Sequence, residues 1–383
     1  MKRELLMTPG PVNVPIRTSL AEAKPLMHHR GADFAELLQS IDNKLKQVFK
    51  TKNTILYFTA SGTGAMEACV VNLLKQHDRP IVIEGGKFGQ RWGAICRAFN
   101  IQYRALELEW GTAPSPQLIE QALRAQPASK IIFTTLFETS TATAYDIENI
   151  AKVAQSYDAI LVVDAISGLG AVPLKTDAWG VDVVVAASQK ALMVPPGLAF
   201  VSLSERGWEL VEQSDLPKYY WDFKAAKNEL FLTPFTPAIS LLQALDESLN
   251  IILEEGVDTV LCRYERYARA VREAVAAMGL KVFSQSPGAV CTAIELPPPI
   301  KAKDVRKAMS QDFGIRIAEG QDHLKDKIIR ITHIGDLGPK DILSAIAALE
   351  ITLSKLGAQI ELGAGVKRAM EVLSQEPITS LVT

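Results

Sequence analysis

Six short apolar runs that do not alternate with polar residues constrain the fold of this chain most. They are TILYFT (54–59), PIVIEG (80–85), KIIFTTLF (130–137), AILVVDA (159–165), VDVVVAA (181–187) and GLAFVSL (197–203). A strand wetted on one side alternates, whereas a run that stays apolar is covered on both faces. Between the runs lie amphipathic stretches such as GAMEACVVNLLKQH (64–77) and DIENIAKVAQSYD (146–158). These supply right-handed crossovers, so the pattern predicts an α/β fold around a mainly parallel sheet.

The pattern changes after residue 235. PAISLLQALDESLNIILEEG (237–256) and VDTVLCRYERYARAVREAVAAMG (257–279) read as long helices. A shorter mixed region follows, through KVFSQSPGAVCTAIELP (281–297), IIRIT (328–332) and a helix over 338–357. With 383 residues, 48% of them hydrophobic, the chain exceeds what one core usually organises. The expected division is an N-terminal arm (1–15), a large domain (16–255), a smaller α+β domain (256–360), then a C-terminal helix and tail (361–383).

Charge excludes some partners. The 41 Lys and Arg offset 43 Asp and Glu with no basic block, so neither nucleic acid nor an anionic membrane is expected. Cys69, Cys96, Cys262 and Cys291 lack the spacing of a zinc site or a disulfide framework and are expected to be reduced and buried. No stretch reaches the roughly 18 apolar residues of a membrane span, and the prolines of MKRELLMTPGPVNVP interrupt any leader, so the expectation is a cytoplasmic protein.

In an open parallel sheet, ligands bind beyond the carboxyl ends of the strands. FTASGTGAME (58–67) places Ser61, Gly62 and Thr63 where a strand enters a helix, offering backbone N–H groups, a helix dipole and hydroxyls to a phosphate. An ordinary tight turn reads the same way. Asp164 ends AILVVD, where a carboxylate needs a cationic or donating partner, or caps the turn at Ser167 and Gly168. Lys190 in AASQKALMVPPG follows the Val-rich strand; it is either a buried nucleophilic amine or a surface turn lysine. Together, a phosphate cradle, a buried aspartate and a strand-end lysine meet the needs of pyridoxal 5'-phosphate: a helix N-terminus for the phosphate, a carboxylate for the ring nitrogen and an amine for the aldehyde.

The motifs FTASGTGAME, KFGQRWG, FETST, VVDAISGLG, ASQKALMVPPG and IIRITHIG, in that order, resemble the class V, fold type I aminotransferases of the alanine-glyoxylate and serine-pyruvate group. The resemblance runs from PGPVNVP to about residue 355. It implies a mainly parallel seven-stranded sheet between helices, a homodimer with active sites at the subunit interface, and ping-pong transfer from alanine or serine to glyoxylate or pyruvate. It implies that Lys190 bonds to the cofactor and moves the substrate proton, and that Asp164 pairs with the ring nitrogen. Ser61, Gly62, Thr63 and Gln189 would hold the phosphate, Thr139 the ring oxygen, and Phe88 and Ile166 the two ring faces. Thr233 and Thr236 would reach the phosphate from a partner subunit, and the arm around Gly10 would cross between subunits to the substrate. Arg330, alone among apolar residues and threonine in IIRIT, would pair with the substrate carboxylate.

Same-fold alternatives are a 2-aminoethylphosphonate transaminase, which needs an added cation such as Lys87 or Arg91, and a cysteine desulfurase-like lyase, which needs a nucleophilic cysteine. A non-catalytic subunit retaining the fold is the alternative from another class. His28, His29 and His333 match no metal motif, and Tyr219 and Tyr220 either line an entrance or pack.

Overall fold

A computed structural model describes residues 4–229 and 231–375. All six apolar runs are strands, and a seventh, Arg104–Glu107, joins them in one sheet. Its order is Thr54–Ala60, Gly197–Leu203, Val183–Ala187, Ile160–Asp164, Ile131–Thr135, Ile81–Glu84, Arg104–Glu107. Gly197–Leu203 runs antiparallel to both neighbours, and every other pairing is parallel. Six strands therefore point the same way and deliver their carboxyl ends to one edge.

The unbroken apolar character of the central strands has the cause it suggests. Val184 and Ala186 pack into one apolar core and Val183 and Val185 into a second, one on each face of the sheet. Ala32–Phe49 covers the first face with Leu38, Ile41, Leu45 and Phe49, and Gly62–Leu73 covers the other. Each fully buried Val, Leu or Ile contributes about 2 kcal/mol by removing apolar surface from water. Arg104–Glu107 is absent from the sequence reading because it is an edge strand: of RALE only Leu106 is buried, and so short a run carries no period.

The two long helices are Ile239–Glu255 and Val257–Ala277. Gly256 alone separates them, at a φ of 90° that disfavours any residue with a Cβ. A second, four-stranded sheet follows, ordered Lys281–Val282, Cys291–Glu295, Ile328–Thr332, Ala318–Glu319 and antiparallel throughout. The weak helix foreseen near the C-terminus is Ala364–Ser374, whose first turn donates N–H groups of Gly363 and Gly365 to the buried Glu350 carboxylate at 2.8 and 2.6 Å. The tail beyond it lies outside the described residues. All four cysteines are buried, and none is joined in a disulfide. Among the described residues no helix is long and apolar enough to cross a membrane.

The N-terminal arm lies along its own chain: Leu5–Leu6 pairs with Ile315–Arg316, Met7 N–H donates to the Arg316 carbonyl at 2.7 Å, and Thr332 N–H donates to the Met7 carbonyl at 2.9 Å. Arg316 also pairs with Glu4. The arm and Ile315–Arg316 form a separate two-stranded parallel sheet, and Met7 joins it to the second sheet at Thr332.

Candidate active site

Lys190 is held by a loop that closes on Ser188. The Ser188 hydroxyl donates to the Pro195 carbonyl at 2.7 Å and accepts the Leu198 N–H at 3.2 Å, while Val194 N–H donates to the Ser188 carbonyl at 3.1 Å. The lysine therefore leaves the strand pointing inward, and its Nζ donates to the Pro9 carbonyl of the arm at 2.6 Å. Gly10 follows directly: a Cβ there would stand 2.3 Å from Lys190 Nζ, and its φ of +131° already favours glycine. Burial pushes the Lys190 ammonium down to about 8; Arg330 and Arg91 act in the same direction, against Cys291 and Asp164. The surface-turn reading of Lys190 fails on this geometry.

Asp164 ends the adjacent parallel strand, 5% exposed. Its Oδ1 accepts the Ile166 N–H at 2.8 Å, so the turn it organises is at Ile166. Burial pushes the carboxyl up to about 7, with Glu138 acting the same way and Arg91 and Lys190 opposing. The turn presents Ile166 to Gly62, where a Cβ would come within 2.4 Å of Ile166 Cδ1. The glycine of the cradle is thus needed for close packing.

Ser61 stands at the N-cap of Gly62–Leu73 with extended dihedral angles, and its side chain makes no capping bond. The exposed hydroxyl and the first-turn N–H groups share that helix end. Thr63 accepts from Arg91 at 3.1 Å, and the Arg91 guanidinium lies 4.9 Å from the centre of the Phe88 ring, which ties Phe88 to the same corner. The Gln189 amide oxygen is buried without a partner. Turning that amide end for end would put its N–H₂ in the same place.

Arg330 comes from the other sheet. Its Nη1 donates to the Thr139 carbonyl and its Nη2 to the Glu319 carbonyl, both at 2.8 Å, while Nε is buried without a partner. It is 6% exposed, and burial lowers its pKa. The Thr139 hydroxyl donates to Ser167 at 2.6 Å. Lys190, Asp164, Ile166, Gly62, Thr63, Phe88, Thr139, Arg330 and Gly10 are thus joined by direct contacts or short-range charge interactions, with Ser61 and Gln189 alongside in the chain.

Thr233 and Thr236 are not brought to this cluster within one chain. They line a crevice with Tyr57, Phe58, Tyr220 and Phe235, and the Thr233 hydroxyl is bonded to the Leu232 and Phe235 carbonyls at 2.6 and 2.8 Å. Tyr220 stacks on Phe235 there, and Tyr219 is 82% exposed. His333 is fully buried between the Ala289 carbonyl and the Thr292 hydroxyl, and burial pushes it down to about 3, which removes it from acid–base work at neutral pH. Three contributors escaped the sequence reading: the Pro9 carbonyl, Arg91 as a tie between cradle and ring, and Glu138. Glu138 gave a signal, a carboxylate ending the apolar run KIIFTTLF.

A strand-end lysine amine, a buried carboxylate on the neighbouring strand and a helix N-terminus free of side-chain caps define a pyridoxal-phosphate enzyme. The fit rests on features of this site: Gly62 and Gly10 stand where a Cβ has no room, and the Gln189 amide and Arg330 Nε are buried without partners. The chain belongs to the class-V aminotransferase family, whose model matches residues 16–329. It is a transaminase that uses pyridoxal 5'-phosphate.

The soluble hydrogenase 42 kDa subunit of Anabaena cylindrica is 39% identical over 381 residues, covering 97% of this chain and 98% of that protein. Serine–glyoxylate aminotransferase of Methylorubrum extorquens is 34% identical over 392 residues, covering 98% and 97%. Among solved structures, ureidoglycine–glyoxylate aminotransferase from Bacillus subtilis superposes with a TM-score of 0.94 at 28% identity, covering 98% of this chain and 99% of that one.

Proposed function

We propose that this transaminase takes nitrogen from a small amino acid, serine or alanine, and gives it to a small 2-oxo acid, glyoxylate or pyruvate. The observation that carries the reading is the meeting of Lys190 and Asp164, on neighbouring strand ends, with a buried arginine from the second sheet that has one N–H unpartnered. The serine–glyoxylate aminotransferase relatives support the substrate classes.

In this reading Ser61, Gly62, Thr63 and Gln189 hold the cofactor phosphate, Thr139 its ring oxygen, Phe88 and Ile166 its ring faces, and Asp164 its ring nitrogen. Pyridoxal 5'-phosphate supplies an electrophilic carbon and an electron-withdrawing ring. Lys190 Nζ, its pKa lowered to about 8 by burial, takes the proton from the amino acid Cα and returns one in the second half-reaction. Arg330 orients the substrate through its α-carboxylate, and the Pro9 and Gly10 backbone bounds the space beside the lysine. The two half-reactions alternate at one site, in a ping-pong cycle.

The same reading includes the domain division at about residue 255, a cytoplasmic setting and a homodimer. Ile16, Leu20 and Leu26, which are 65, 65 and 70% exposed, support the dimer as apolar surface suited to a second copy. Thr233 and Thr236 then face the partner subunit's cofactor.

The other chemistries fit less well. Lys87 pairs with Asp322 at 2.9 Å and Arg91 is committed to Thr63, so neither is free to hold a distal phosphonate. Cys291 lies in a strand with its thiol pushed up to about 12 by burial, the opposite of a desulfurase nucleophile. The hydrogenase names of two relatives raise a second reading, a subunit of a redox assembly. Metal redox chemistry needs clustered donors, and among the described residues no three His, Cys, Asp or Glu side chains are so grouped.

The test is to add pyridoxal 5'-phosphate, reduce with borohydride, and map the modified peptide. Label on Lys190, followed by loss of the visible band with serine or alanine and its return with glyoxylate, is the expected result. No label, or a band that responds only to cysteine, overturns the proposal.

A further inference from the structure

Glu138 is fully buried at the end of the two-residue strand Phe137–Glu138, yet its carboxylate is surrounded by donors. Oε2 accepts Phe88 N–H at 3.1 Å and Gly89 N–H at 2.8 Å; Oε1 accepts the Ser140 N–H at 3.0 Å and the Ser140 hydroxyl at 2.5 Å. Phe88 and Gly89 belong to the first turn of the helix Lys87–Ala98, whose N-terminal dipole favours an anion. No side chain of the helix's own N-cap residue, Gly86, fills this role, and a Cβ on Gly86 would stand 2.5 Å from Glu138 Cγ and Cδ. The backbone that carries Phe88 is therefore seated directly on the carboxylate. Further along the same helix, Arg91 reaches the Thr63 hydroxyl of the cradle and lies over the Phe88 ring. The helix start is thus fastened to Glu138, to the Ser140 hydroxyl, which accepts Lys87 N–H at 3.0 Å, and to the cradle through Arg91.

We propose that Glu138 is a positioning residue for the cofactor: by clamping the first turn of Lys87–Ala98 it fixes the plane of Phe88 over the cofactor ring. The proposal rests on the reading of Phe88 as a ring-stacking residue. Its chemistry is specific, because four donors converge on one carboxylate. An amide in its place has a single acceptor oxygen, and its N–H₂ must face either the Phe88 and Gly89 N–H groups or the Ser140 N–H, all of which only donate. The next residue, Thr139, receives Arg330 Nη1 on its carbonyl, so truncating Glu138 to alanine would also disturb the substrate anchor. Glu138→Gln, which keeps the volume, is the cleaner variant.

The experiment titrates apoenzyme with pyridoxal 5'-phosphate and follows visible absorbance and visible circular dichroism, with thermal melting of the apoprotein in parallel. Wild type, Glu138→Gln, Phe88→Ala, the double variant and Ser140→Ala are compared. Glu138→Gln is expected to weaken cofactor binding about tenfold, as loss of charge-assisted bonds implies, and to reduce the visible dichroism. Ser140→Ala leaves the bonds to Phe88 and Gly89 in place but removes the acceptor of Lys87 N–H, so it is expected to weaken binding less than Glu138→Gln does. In the Phe88→Ala background the glutamine is expected to add little, because the plate it positions is gone. Wild-type affinity and dichroism in Glu138→Gln, a full second loss in the double variant, or a fall in apoprotein melting with cofactor affinity unchanged would each overturn the proposal. If wild type binds no cofactor, the transaminase reading itself fails; if wild type binds and Glu138→Gln matches it, only the role of Glu138 fails.

Discussion

The two cations of the site are built in opposite ways. Lys190 stands at the open end of a parallel strand, on a loop closed by Ser188, and its Nζ meets the single carbonyl of Pro9. Arg330 stands in mid-strand in the antiparallel sheet, with two carbonyls fixing its guanidinium. Burial lowers the pKa of both, but for the amine that means a value of about 8, where it can give and take a proton, while the guanidinium stays charged. One sheet supplies a group that reacts and the other a group that does not change. Lys190→Ala breaks this contrast at its stronger end: transamination is expected to fall by about 10⁴-fold or more, since the group that moves the proton is lost. Turnover of serine with glyoxylate is the measurement, and retention of a tenth of it would remove Lys190 from the chemistry.

Asp164→Asn comes next. The isosteric amide keeps an acceptor for the Ile166 N–H but gives up the charge, so single-turnover proton transfer is expected to slow by roughly 10² to 10³-fold. The apoprotein offers an independent reading. Folded Asp164 keeps its proton to about pH 7, against 3.8 for the ordinary group, so across that window the folded state binds more protons and stability falls as pH rises. Lys190 acts with the opposite slope. Its folded value of about 8 lies below the ordinary 10.5, so the unfolded chain binds more protons between them and stability climbs with pH. Melting curves of the apoprotein should show Asp164→Asn flattening the lower slope and leaving the upper one; an unchanged lower slope would mean that Asp164 is not the group that titrates there.

The same contrast explains what could be read from sequence. Lys190 and Asp164 end apolar runs that declare their own burial, so their place at the sheet edge follows from the pattern around them. Arg330 was legible for the same reason, as the one charge in IIRIT. What it touches was not, because Thr139 and Glu319 meet it through backbone carbonyls, and carbonyls carry no residue signature. Pro9 escaped on identical grounds. The arm's pairing within the chain was not legible because the strand it joins, Ile315–Arg316, is two residues long and exposes no periodicity. Arg104–Glu107 was lost at the edge of the large sheet for want of a second buried face.

Arg330→Lys sharpens the comparison from the other side. The charge survives but the planar fork does not, so KM for serine and for glyoxylate should both rise about 10 to 100-fold. Cofactor affinity should hold, because Arg330 meets Thr139 and Glu319 through their backbone carbonyls and its own strand remains paired on both sides. An amine without a carboxylate should react at the same rate with either protein. Equal losses for both kinds of amine would move Arg330 from substrate anchor to packing element.

The smallest effect is expected where the two regions are physically joined. The arm that gives Pro9 to Lys190 also gives Met7 to Thr332, two residues beyond Arg330 in its strand. Gly10→Ala puts a Cβ where Lys190 Nζ now lies and forces alanine to a φ of +131°. Strain of that kind costs on the order of 1–3 kcal/mol, and the arm relieves part of it by moving off the lysine. The expected outcome is a melting point lower by a few degrees and borohydride-trapped cofactor that forms a few-fold more slowly. KM for the carboxylate substrates should stay within about twofold of wild type, since backbone pairing holds Arg330 in its strand without help from residue 10. A rise in KM as large as that of Arg330→Lys would show instead that the arm positions both cations, and the two halves of the site would have to be treated as one mechanical unit.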